Sequence, residues 1–282
     1  LVNKKPKLYL LALAPFSLLV LFFEIAPLLM VIVRSFMPEG RIGFTLEHYI
    51  SIFSKKLYQQ AVWNSVLVSV VSALAGIAIA FFAAKSVRSV GRRMKNFFIS
   101  VLNMTSNFAG IPLAFAYIIL LGNVGVLIMI GKKYGFSALA GFNLYSLVGL
   151  MFTYVYFQVP LATLLLIPAF NGVHPQWRES VELLGGNGLT FWYRVGIPNL
   201  LPSILGTLGV LFANSLAAYA TAYALLQNNF SLLPIRLQEQ FTGDVTQHKE
   251  FGSALAVVLM LLMVLAIGIN NYILKKNRGL QY

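Results

Sequence analysis

The sequence predicts an all-α, polytopic membrane protein with six transmembrane helices, and three observations predict it. Hydrophobic residues make up 59% of the chain and charged residues only 10%. A soluble domain carries roughly a quarter charged residues, so this chain has too few to coat a globule in water. Apolar runs of bilayer-crossing length, about 20 residues each, recur from one end to the other. They are continuous, where the strands of a membrane β-barrel would alternate polar and apolar over ~10 residues. Helices are then the way to satisfy the backbone in lipid.

The first run, residues 8–33, follows Lys4, Lys5 and Lys7 and is interrupted by Pro15 and Pro27. It is far longer than the ~7–15-residue apolar region of a secretory signal, so it reads as a first membrane helix. Residues 34–60 form an outer loop in which FTLEHYISIF has the pattern of a short amphipathic surface helix. The second span, 61–84, is rich in Val, Ser and Ala, and small residues let helices approach closely. KSVRSVGRRMKN, residues 85–96, is a strongly basic connection. The third span, 97–121, includes NFAGIPLAFAY, and the glycine-rich stretch 122–143 after it is too short and broken to cross. Residues 144–170 make the fourth span, broken by Pro160 and Pro168, and 200–226 the fifth. A loop holding LPIRLQEQFTGD leads to the sixth, 251–274, and to a basic tail. The whole, 1–282, reads as a single transmembrane domain.

Thirteen of the 21 Lys and Arg residues fall in the tails and in the loops 85–96 and 171–199. The alternate loops hold eight, together with five acids. The positive-inside rule therefore puts the N- and C-termini in the cytoplasm. The net charge of +13 is thus a topology signal at the ends of apolar runs and not a nucleic-acid surface. Cysteine is absent, which removes disulfides, thiol nucleophiles and thiolate metal sites. His48, His174 and His248 lack metal-ligand spacing and read as surface residues. The nearest approach to a phosphate loop, Gly125 to Lys132, has five residues between its glycines and Lys133 where Ser or Thr belongs. No ATPase activity of its own is expected.

The longest polar interruption on the inner side, 171–199, carries that side's two acids, Glu179 and Glu182. In WRESVELL they lie one helical turn apart on one face, with Val181 and Leu184 directed another way. Gly185 and Gly186 should end that helix, because glycine takes a left-handed cap without penalty. A second short helix, 189–195, can follow. Pro198 and Pro202 then set the start of the fifth span, where a first-turn proline sacrifices no hydrogen bond.

Glu179-Ser180-Val181, then Gly185, then Ile197-Pro198 and Leu201-Pro202 resemble the EAA loop of bacterial binding-protein-dependent ABC importer permeases. That pattern is Glu-Ala-Ala, three residues, Gly, and later an apolar residue and a Leu-Pro pair; Ser180 and Val181 replace both alanines here. Span order, NFAGIPLAFAY and AYATAYALL extend the resemblance toward the spermidine/putrescine branch. The resemblance implies a type I importer permease fold in the bacterial cytoplasmic membrane. It implies partners: ABC ATPase subunits that hold ATP and Mg, a second permease and an extracytoplasmic solute-binding protein. It also implies coupling to the ATPase through Glu179, Ser180, Val181, Glu182, Leu184, Gly185, Gly186, Ile197, Pro198 and Pro202.

Polar groups within spans are costly in lipid and are the natural candidates for a solute path. Glu24 is the one acid within a span, and it suits a cationic substrate such as a polyamine; thiamine, a phosphonate or ferric ion are alternatives. Asn107, Tyr154, Gln158, Asn214, Tyr219 and Thr221 are further candidates, each with helix–helix hydrogen bonding as the competing reading. An ion-gradient-driven transporter or channel is the rival function. It would call for several intramembrane acids or matched broken helices in two halves.

Overall fold

The computed structural model describes residues 6–41, 43–227, 229–242 and 247–278. Lys4, Lys5 and tail residues 279–282 lie outside the described residues. Among those described, secondary structure is helical throughout, and six segments are long and apolar enough to cross a membrane. These are Leu13–Ser35, Lys56–Ser89, Ile111–Tyr134, Leu147–Asn171, Gly188–Leu216 and Lys249–Lys276. Contacts gather the chain into two units, one of Leu1–Gln59 with Arg236–Met260 and one of Gln60–Ile235 with Leu261–Tyr282.

The first unit begins with a rod: α1 (Pro6–Val20), a π-helical turn (Leu21–Ile25) and α2 (Ala26–Ser35). Pro27 accounts for the turn. Its ring has no N–H and would strike the carbonyl four residues back, so the helix widens and Ala26 N–H reaches Leu21 O instead. Beyond α2, the ring of Phe36 stacks on Phe44 at 5.4 Å and on Tyr49 of α3 (Glu47–Ser54) at 5.2 Å. Tyr49 donates to Ser35 Oγ (2.8 Å), which in turn donates to Ile32 O (2.6 Å). His48 is buried, not a surface residue: Nε2 donates to Met37 O at 2.9 Å and the ring meets Phe251 edge-on. The LPIRLQEQFTGD loop is largely helical, as α14 (Leu233–Thr242).

In the second unit the organising element is α9 (Leu147–Asn171), packed against α5 (Arg92–Asn107), α6 (Ile111–Leu121), α12 (Ile197–Leu216) and α13 (Tyr219–Leu226). α4 (Lys56–Ser89) turns a stripe of small residues inward, Ser65, Ser69, Ser72, Gly76, Ala80 and Ala84. A Cβ on Gly76 would sit 3.0 Å from Gln158 Cβ of α9, so the two backbones come close only because the glycine is bare.

Two expected spans are broken. Residues 97–121 are not one helix: α5 stops at Asn107 and α6 starts at Ile111, with Gly110 at φ +76, ψ −146 between them. Pro112 removes a donor at the start of α6, and only glycine adopts such a backbone without strain. Residues 200–226 divide into α12 and α13 at Ala217–Ala218, where Tyr219 N–H bonds to Ala217 O at 2.8 Å and makes a tight turn. The helix before that break also begins earlier than residue 200: α11 (Gly188–Phe191), a π-turn (Trp192–Gly196) and α12 run on without interruption.

Candidate coupling site and intramembrane polar groups

The polar stretch after α9 folds as α10 (Pro175–Leu183), with Pro175 in the first turn where its missing N–H costs nothing. The helix ends at Gly185, φ +78, as its glycines predict. Gly186 N–H returns to Val181 O (2.9 Å) and Gly185 N–H to Glu182 O (3.0 Å), which is the Schellman pattern. Gly186 must also be bare, because a Cβ there would lie 2.6 Å from Val181 Cγ1.

One side of α10 is anchored and the other is free. Trp177 and Val181 pack on a core cluster that includes Phe170 of α9, Ala84 and Val87 of α4, and Leu200 and Leu211 of α12. Glu179, Ser180 and Glu182 are exposed; Arg178 Nε bonds Glu182 Oε1 at 2.8 Å along the helix. Leu184 does not share the environment of Val181. It is 87% exposed, and with Leu183 and Leu189 it makes an apolar surface beside the two acids. Burying one such leucine is worth about 1.5–3 kcal/mol, so this surface has the chemistry of a docking face.

The expected second short helix, 189–195, is instead the head of the long helix. Asn187 caps it, accepting from Thr190 N–H at 2.9 Å and from its hydroxyl at 3.0 Å. In the π-turn that follows, Trp192 meets the rings of Phe81 of α4 and Phe170 of α9, and Lys85 Nζ stands 4.6 Å over its indole. Gly196 gives that ring its room: a Cβ there would be 2.5 Å from Trp192 Cε3. Pro198 repeats the logic of Pro27. Ile197 N–H bonds Trp192 O, five residues back, and the Asn199 side-chain amide donates to Val195 O at 2.7 Å. Pro202 falls within α12.

The intramembrane candidates sort into two groups. Tyr154, Gln158 and Thr221 are buried and tie helices together. Tyr154 OH donates to Ala218 O at 2.6 Å and so satisfies a carbonyl freed by a helix break, while Thr221 Oγ1 donates at 3.2 Å to Gly110 O, which also accepts from Ala114 N–H, and ties the two breaks together. The Gln158 amide donates to Ser72 Oγ at 2.8 Å and to Ser215 Oγ. Asn107 and Asn214 are exposed, at the end of α5 and in the last turn of α12; Tyr219, half-buried at the start of α13, stacks on Tyr223 at 5.3 Å. The structure thus brings Asn107, Asn214 and Tyr219 to the margins of the two breaks, which themselves meet through Thr221 and Gly110. Glu24 stands exposed in the first π-turn, outside every ion pair of the described residues.

Residues 76–279 match the family described as binding-protein-dependent transport system inner membrane component. This chain belongs to that family. It is a multi-pass inner-membrane component. It is similar to the spermidine/putrescine transport system permease protein PotB of Haemophilus influenzae, at 25% identity over 88% of this chain and 87% of that one. A putative ferric transport system permease protein of the same organism is 25% identical over 93% of this chain. The chain spans about two fifths of the length of that relative and of one other, 40% and 42%. Among solved structures, a bacterial ABC transporter involved in import of the polysaccharide alginate superposes with a TM-score of 0.69, covering 94% of this chain and 96% of that one. At 15% identity that likeness concerns the fold alone.

In this inner-membrane component, sequence reasoning missed the Trp192–Gly196 joint. A signal was present, since Gly196-Ile197-Pro198 puts a bare residue and a ring-closed one on either side of a helix position. The break at Ala217–Ala218 had no such signal.

Proposed function

We propose that the chain is the permease subunit of an ATP-driven importer, one half of a two-permease core. It carries a small polar solute delivered by an extracytoplasmic binding protein and is driven by ATPase subunits on the cytoplasmic side. The observation that carries this reading is the two-sided α10, anchored through Trp177 and Val181 and free along Glu179, Leu183 and Leu184. A helix held this way transmits a push from a partner into α4, α9 and α12. Glu179, Ser180, Glu182 and Leu184 would meet the ATPase, while Val181, Gly185, Gly186, Ile197, Pro198 and Pro202 hold the element in shape. ATP and Mg would be bound by the partner and not by this chain.

The solute path runs past the paired helix breaks, with Asn107, Asn214 and Tyr219 on it. Tyr154, Gln158 and Thr221 support the backbone around it. Relatives are named for polyamine, ferric ion and sulfate. A polyamine is favoured here because Glu24, the one acid away from the ends of the six candidate spans, would balance a cationic solute, whereas it would repel sulfate.

The test is purification of a tagged copy from its native membrane in mild detergent. An ATPase and a second permease should co-purify, and uptake in vesicles should follow ATP, with spermidine or putrescine bound to the associated binding protein. A chain that purifies alone and moves solute on an ion gradient without ATP would overturn the reading. Sulfate or ferric ion on the binding protein would overturn the polyamine assignment only.

A further inference from the structure

Within the second unit, a narrow apolar groove of about 160 Å³ lies between the end of α4, the first half of α5 and α9. Ala83, Val87, Val90, Phe98, Leu102 and Val159 line it. Its two polar lining residues are turned into their own helices: Thr163 donates to Val159 O at 2.7 Å and Ser86 to Phe82 O at 2.9 Å. The groove therefore offers hydrocarbon contact and nothing for a polar solute to bond.

The residues lining one end are interleaved in sequence with cations. Arg88 lies between Val87 and Val90, and Arg92, Arg93 and Lys95 precede Phe98 in the first turn of α5. The three arginines are exposed and Lys95 is half-buried. None of the four is in an ion pair among the described residues. No acid lies in the first turn of α5 and no side chain caps it, so three cations crowd the positive end of a helix dipole, an arrangement that an anion beside it would stabilise. Lys85 is already engaged over Trp192, and of the two acids in the 171–199 loop Glu182 is held by Arg178. Among the described residues no acid is paired with any of these four cations.

We propose that the groove holds an acyl chain of an anionic phospholipid whose phosphate headgroup lies among Arg88, Arg92, Arg93 and Lys95. A hydrocarbon slot ending in a cluster of cations matches a molecule that is apolar for most of its length and anionic at one end, and basic pockets between membrane helices on the cytoplasmic side bind such headgroups. Free phosphate would use the cations and leave the groove unexplained. A neutral lipid would fill the groove and leave the cations unexplained.

The test uses the assembled transporter, ATPase included, in nanodiscs of phosphatidylcholine doped with spin-labelled phosphatidylglycerol or, separately, spin-labelled phosphatidylcholine. Electron paramagnetic resonance should show a larger immobilised fraction for phosphatidylglycerol, and raising the salt should shrink the difference. Arg92→Gln or Arg93→Gln should lower the preference by up to about fivefold each, and Ala83→Phe should reduce immobilisation of the labelled chain by filling the slot. Equal immobilisation of the two lipids in the wild-type complex would overturn the proposal, without reliance on any variant folding. So would a preference seen in the permease core alone but absent once the ATPase is bound, because the cations would then be a protein contact.

Discussion

Gly185 occupies a backbone conformation, φ +78, that costs other residues roughly 1–2 kcal/mol, yet nothing surrounds its missing Cβ. A substitution there strains the turn without crowding a neighbour. Gly185→Asp should therefore leave the protein in the membrane and loosen only the end of α10. Glu179→Ala removes an exposed carboxylate and should leave stability within about 0.5 kcal/mol. Both variants should reduce solute uptake per ATP hydrolysed in the reconstituted complex; wild-type coupling in both would remove α10 from the coupling role. Gln158 tests the opposite kind of residue. Its amide bridges Ser72 and Ser215, while its own oxygen and Ser69 Oγ are buried without a partner. Hydrogen bonds between membrane helices average about 0.6 kcal/mol and reach about 1.7, and Ser72 keeps its bond to Val68 O. Gln158→Leu should thus cost no more than about 2 kcal/mol, seen as a modest drop in thermal stability in detergent with solute selectivity unchanged. A change of selectivity would return Gln158 to the path.

At the scale of elements, the two π-turns share one cause, a proline at the second position of the helix that follows, and the second of them joins α10 and α11 to a span. Widened turns of this kind recur at functional sites. Gly196→Ala would drive a Cβ to 2.5 Å from the Trp192 ring, so the indole must leave Phe81, Phe170 and Lys85. Overpacking a close-packed site typically costs about 1–3 kcal/mol. The expected result is a complex that still assembles and hydrolyses ATP but imports little, measured as the ratio of uptake to hydrolysis; an unchanged ratio would make the joint merely structural. What the sequence disclosed at this scale follows local chemistry. The end of α10 was legible because Gly185-Gly186 can cap a helix and little else. The break before α6 was latent in Gly110 and Pro112, but apolar composition ran across it and disguised two helices as one span. The break at Ala217–Ala218 could not be read, because two alanines are good helix formers and the carbonyl they release is satisfied by Tyr154, 64 residues away. His48 misled for the same reason: its partner, Met37 O, lies 11 residues back through a turn that composition does not reveal. Long-range satisfaction of polar groups also separates Tyr154, Gln158 and Thr221 from Asn107, Asn214 and Tyr219, which are identical kinds of candidate when only the spans are known.

At the scale of the whole molecule, the distribution of charge predicts that the loop carrying α10 faces the cytoplasm. Thirteen cations with two acids lie on one side of the spans, and eight cations with five acids on the other. The bias counts Lys and Arg near span ends and is largely indifferent to acids. Two of the acids on the sparser side have local partners: Glu39 meets His248 at 2.8 Å, and Glu239 holds Arg236 through both oxygens. Such pairs fix loops and carry no topological signal. The absence of cysteine gives a clean background for testing the orientation, since a single introduced thiol is then the only one in the chain. Ser54 and Ser137 are exposed on the sparser side, Ser89 and Ser180 on the richer one. Ser54→Cys and Ser137→Cys should react with a membrane-impermeant maleimide in intact spheroplasts, and Ser89→Cys and Ser180→Cys only after permeabilisation. The four positions interlock, because an odd number of crossings separates each outer pair member from its inner neighbour in the chain. If Ser180→Cys reacted in intact cells and Ser54→Cys did not, the topology would be inverted. The face formed by Glu179, Leu183 and Leu184 would then be out of reach of any cytoplasmic ATPase, and the coupling assignment would fail with it.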